Sequence, residues 1–125
     1  MKINQIEPLY EALKEWMDKE ISFSLAYKMM VISSAIDKEY QFYITKMRSI
    51  IQKYALKDEQ GELVVENNQI KVDPNYISAA EKELIELGEI EVTLPDIKIT
   101  YQELESTDLK ISPAQLYALT PILSE

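Results

Sequence analysis

SFSLAYKMMVISSAIDKEYQFYITKMRSIIQKYA, residues 22–55, is the stretch that decides how this chain is organised. No Pro or Gly interrupts it. Ala26, Met29, Ser33, Ile36, Tyr40, Tyr43, Met47, Ile50 and Tyr54 recur at alternating spacings of three and four. That spacing predicts one long helix with a heptad-like apolar seam. Phe23, Leu25, Met30, Ile32, Ile44 and Ile51 widen the apolar face beyond a strict seam, which suits packing inside a helical domain as well as a coiled coil. The one break point on offer is Ser33-Ser34, where a serine can bond back onto the preceding turn and fold the helix over.

Working outward, residues 5–19 predict a first helix with Ile6, Leu9, Leu13 and Trp16 on one face. Lys57 to Gly61 is a polar turn. Leu63-Val64-Val65 and Ile70-Lys71-Val72 flank Asn67-Asn68, and asparagine tolerates the positive φ of a tight hairpin. Asp73-Pro74 opens another helix, with Ile77, Ala80, Leu84 and Leu87 on its apolar face. Gly88 is expected to stop that helix in the left-handed conformation. Ile90 to Leu94 alternates as a half-buried strand, and Ile97 to Ile99 reads as another after the turn at Pro95-Asp96. Thr100 with Glu103, and Ser112-Pro113 with Gln115, have capping-box spacing and predict two short closing helices, the last ending at Pro121. The fold class is therefore α+β: a long-helix hairpin or bundle with a small, mostly antiparallel sheet and short capping helices. A chain of 125 residues is expected to form a single domain, with a helical half (1–56) and a mixed half (57–125).

Residue types that are missing narrow the chemistry. The sequence has no histidine and no cysteine. That removes the serine–histidine triad, the thiolate nucleophile and the usual zinc site. Carboxylate acid–base work and an oxygen-only cation site remain. Asp58, Glu59, Glu62 and Glu66 lack the regular ligand spacing of a calcium loop. Glu83, Glu86, Glu89 and Glu91 show no local sign of the split environments that a catalytic carboxylate pair needs. No catalytic, cofactor or metal residue is assigned, and the chain is not expected to be an enzyme. With no apolar leader and no run of about 20 apolar residues, the expected location is the cytoplasm.

Charge is unevenly spread. Residues 1–56 hold 8 Lys/Arg against 7 Asp/Glu, and residues 57–125 hold 5 against 15. An acidic second half repels nucleic acid phosphate and anionic lipid and attracts basic partners, or simply keeps the chain soluble. Tyrosine is enriched at protein interfaces. The candidate interaction residues are therefore Tyr40, Tyr43, Met47, Ile50 and Tyr54 on the seam, with Glu83, Glu86 and Glu91 on the acidic part. A helix over 22–55 would be about 50 Å long, against a diameter near 35 Å for a compact domain of this size. It would overrun its own domain, so a homo-oligomer is expected, most simply a two-fold dimer along the seam.

Three short stretches carry a family resemblance: KYALKDEQG (Lys53 to Gly61), the acidic helix leading into Ile90-Glu91-Val92, and ISPAQLYAL (Ile111 to Leu119). With their order along the chain, they resemble small proteins of tailed phages and prophages of Gram-positive bacteria, of the domain-of-unknown-function 1617 type. The resemblance implies a phage origin and carries over no catalytic residue. The expected function is that of a phage accessory protein binding another protein, in particle assembly or on a host or defence target. Two alternatives stay open: an acidic nucleic-acid mimic that occupies a basic host protein, and a carboxylate or divalent-metal enzyme.

Overall fold

Ile6, Leu9 and Leu13 place one apolar stripe along α1 (Ile6–Lys14), and all three are buried. A 3-10 turn over Ile3–Gln5 leads into it, and hydrogen-bonded turns continue past its end to bring Trp16 into the same core. Pro8 falls in the first turn, where no amide hydrogen bond is lost. The computed structural model describes residues 1–125. Ser22 caps α2 (Phe23–Lys53) by accepting a hydrogen bond from the Leu25 amide at 3.3 Å. The helix then runs unbroken through Ser33-Ser34, for about 46 Å. Serine's tendency to bend a helix is overruled here by the continuous packing of Met29, Ile32 and Ile36 on either side.

After α2 the chain makes a polar turn. The Asp58 carboxylate accepts from the Gln60 and Glu62 amides, and Gly61 takes φ +79°. The hairpin follows, β1 (Val65–Glu66) antiparallel to β2 (Gln69–Ile70). Asn67 and Asn68 both hold positive φ, 53° and 63°, as a two-residue turn requires. The strands are shorter than the apolar runs suggest. The second arm turns instead to the end of α2, where Leu56 donates to the Lys71 carbonyl and Asp73 donates to the Tyr54 carbonyl. Asp73 caps a 3-10 turn over Pro74–Tyr76 that opens α3 (Ile77–Gly88).

Three expectations need correction. Ile97 and Lys98 lie outside any strand, and the ladder begins only at Ile99. Gly88 is the last residue of α3 and does not take positive φ. It sits at a close approach instead, since a Cβ there would lie 3.2 Å from Asn4 Cβ, near enough to make Asn4 shift. Residues 90–94 form no sheet strand, only an isolated antiparallel bridge between Lys2 and Glu91. Their ladder partner is the N-terminus, and that enters a helical turn after two residues. Beyond them lie β3 (Ile99–Thr100), α4 (Tyr101–Glu105), α5 (Pro113–Leu119) and β4 (Leu123–Ser124). Both closing helices start with the expected capping boxes. β3 and β4 pair in parallel, so the second two-stranded ladder differs in sense from the first. The architecture is α+β, dominated by one long helix.

The core is lopsided. Ile3, Ile6, Leu9, Leu13, Trp16, Leu25, Met29, Ile32 and Ile36 meet Val92, Ile99, Leu104, Leu119 and Ile122 in one cluster. Between residues 37 and 91 only Ala80, Leu87 and Gly88 are buried, and none belongs to that cluster. α1 packs between α2 and α5, while α3 packs on α2. No helix is long and apolar enough to cross a membrane.

Candidate interaction surface

In the first half of α2, Leu25, Met29, Ile32 and Ile36 point into the core and are at most 3% exposed. At 3.6 residues per turn, Phe23, Tyr27, Met30 and Ser34 form a second line on the opposite side of the helix. Phe23 is 86% exposed, Tyr27 52% and Met30 53%. A helix that is apolar all round belongs inside something, so this half of α2 is covered on one side only. Charge is nearly absent. From Ile21 to Ile36 the sole charged residue is Lys28, and its ammonium is held by Glu103 at 2.7 Å and the Lys98 carbonyl at 3.0 Å. Met17, itself exposed, borders the line, with its sulfur 3.5 Å from Ser33 Oγ. Between them opens a cavity of about 310 Å³, lined by Tyr10, Leu13, Met17, Met30, Ser33 and Ile36 among others.

The residues expected to form an interface on the second half of α2 are turned toward the chain itself. Tyr40 stacks on Tyr10 with ring centroids 4.1 Å apart. Tyr43 is half-buried against the core, and that burial, followed by the negative charge of Glu7, raises its hydroxyl above the ordinary tyrosine value. Met47 and Ile50 continue the inward line and are half-buried. Tyr54 lies 5.9 Å from Tyr76 and under the Lys53 ammonium. The outward face of this half is polar: Gln41, Thr45, Arg48 and Gln52.

The acidic candidates are not brought together. Glu83 pairs with Lys53 at 3.0 Å, joining α3 to the end of α2. The nearby Tyr54 hydroxyl, then Lys53, hold its carboxyl below the usual range, although its Oε2 is buried without a well-formed hydrogen bond. Glu91 faces the N-terminal ammonium at 3.5 Å, Glu89 pairs with Lys2, and Glu86 is exposed and makes no ion pair. No group of three Asp or Glu side chains is placed to hold a metal ion.

Compared with family models, with curated proteins and with solved structures, the chain matches none of them. The surface must therefore be read from its own residues. Phe23 and Met30 are visible in the sequence as widening one apolar face, whereas the structure puts them on a second face. The signal that separates the two is the offset of the 23/27/30/34 line from the 25/29/32/36 line by half a helix turn.

Proposed function

We propose that this chain is a binding protein that works by contact with another protein rather than by catalysis. On the resemblance of Lys53–Gly61, Ile90–Val92 and Ile111–Leu119 to stretches of small phage proteins, we read it as an accessory protein acting in the cytoplasm of an infected bacterium. The observation that carries the proposal is the bare apolar line Phe23, Tyr27, Met30 with Met17 beside it, on a helix whose other side is already buried. Contiguous exposed apolar surface supports reading this face as an interaction site. The mimic reading is weakened because Glu66, Glu83, Glu89, Glu91 and Glu103 are each engaged by a lysine or by the N-terminus, which leaves less free negative charge to offer a basic groove.

A photoreactive phenylalanine analogue placed at Tyr27 tests this in cells. One discrete cross-linked species is expected, absent when the analogue replaces Tyr117, a still barer aromatic on α5. Equal or diffuse cross-linking at both positions would remove the proposal.

A further inference from the structure

We infer that the occupant of this face is a second copy of the same chain, paired antiparallel about a two-fold axis near Lys28–Met29. The inference rests on the protein-binding reading above and gives its site a partner.

Three observations converge. The first is area. A compact monomer of 14.5 kDa exposes about 6,900 Å². This chain exposes 8738 Å², roughly 1,800 Å² more than that expectation. A standard interface takes about 800 Å² from each partner, so the excess, summed over the whole chain, is large enough to include one.

The second is charge. The chain carries a net charge of −9, so most faces of one copy repel another. The stretch Ile21–Ile36 is exempt, because its one charge is neutralised within the chain by Glu103. Within that stretch two copies meet without like-charge repulsion, while Glu20 and Asp37 just beyond it come level with each other at either end.

The third is shape. A two-fold interface must be complementary to itself: if one residue meets a second, the second meets the first. Phe23 is a projecting ring, and the cavity beside Met30, Ser33 and Ser34 is a recess on the same side of the helix, about 15 Å further along it. Antiparallel pairing centred between Lys28 and Met29 brings Phe23 of each copy over Ser34 of the other, at the mouth of the recess. It also sets Tyr27 against the partner's Met30, a favourable sulfur–aromatic contact. Ser24, Ala26 and Ser34 are small enough to let the helices approach. Parallel pairing would put Phe23 on Phe23 and leave both recesses empty.

Light scattering coupled to gel filtration, on the purified full chain from micromolar to submillimolar concentration, reads the result. The expected mass at the upper end is twice 14.5 kDa. Phe23→Glu should weaken the dimer by about thirtyfold or more, since one substitution removes two anchors. Tyr117→Glu, an equal change on another helix, should leave it intact. Phe23 is exposed, so both variants are expected to keep the native circular dichroism. The chain has no cysteine, so orientation can be read by oxidation. A mixture of Phe23→Cys and Ser34→Cys should cross-link, and neither alone should. A monomer at every concentration, or a dimer indifferent to Phe23→Glu, would overturn the inference. A monomer that still gives one specific cross-link from Tyr27 in cells would sink the second-copy assignment and leave the binding reading standing. A monomer that instead adheres to zwitterionic vesicles through Phe23 would overturn both.

Discussion

The two halves of α2 differ in apolar content and in fate. From Phe23 to Ile36 the helix offers apolar residues on two faces, and the chain covers only one of them. From Asp37 to Lys53 it offers one apolar face, and α1 and α3 cover that face only in part. The first half has more apolar surface than its own fold uses. The second has less cover than its apolar line could take. Length explains the difference, since the C-terminal elements that complete the core reach only the first half. Apolar periodicity along a helix therefore reports what could be buried. Which stretch is buried, and by what, depends on segments far away in the chain.

The contrast can be broken by truncation. Ile36 is fully buried, so Ile36→Ala should cost about 2–5 kcal/mol in urea unfolding. Met47→Ala, on a half-buried position of the same inward line, should cost under about 1.5 kcal/mol, because less area leaves water. Equal costs would mean that the second half shares the core after all. Amide hydrogen exchange should show the same gradient. Amides of Leu25–Ile36 should open only with global unfolding, while those of the last three turns of α2 and of α3 should exchange through cheaper local openings. Uniform protection along α2 would contradict the division.

Acid sensitivity divides the same way. Lys28, then the Thr100 amide, hold the Glu103 carboxyl below the ordinary glutamate range. The unfolded chain therefore takes up that proton first as pH falls. The stabilisation is complete above the ordinary range and is lost as pH drops through the folded value. Glu103→Gln should lower the urea midpoint at neutral pH and flatten its acid dependence. Glu83 has the same sign, but ties α3 only to the thinly covered half, so Glu83→Gln should show in local exchange near Tyr54 more than in the global midpoint. The smallest effect is expected at Gly88. Alanine there gains helix propensity and crowds Asn4, so the net change should stay within about 1 kcal/mol. A loss beyond about 1.5 kcal/mol would point to a left-handed position after all.

Local signals were legible in the sequence, and distant ones were not. The capping boxes at Thr100 and Ser112, the Asp73 cap and the paired asparagines of the hairpin each depend on residues within a few positions, and each stands where its spacing places it. On the inward line of the first half of α2 the expected seam holds at Met29 and Ile36 and is one position off at Ala26 and Ser33. Ala26 is exposed and Ser33 half-buried, while Leu25 and Ile32 are buried. With apolar residues on both sides, periodicity alone has no unique phase there. Gly88 and Ile90–Leu94 were misread for a different reason, since their partners Asn4 and Met1–Ile3 lie at the other end of the chain. The candidate interaction residues Tyr40, Tyr43 and Tyr54 followed from composition and spacing. Their inward contacts with Tyr10 and Tyr76 could be seen only once the helices were placed.

Methionine methyl resonances provide the most direct test, because the methionines sample every part of this contrast. Met17 and Met30 border the bare face, Met29 lies in the core, and Met47 marks the inward line of the second half. On dilution from submillimolar to low micromolar concentration, the Met17 and Met30 methyls should shift together while Met29 and Met47 stay fixed. A shift confined to Met47, with Met17 and Met30 unmoved at every concentration, would place the interface on the second half of α2 and contradict the account.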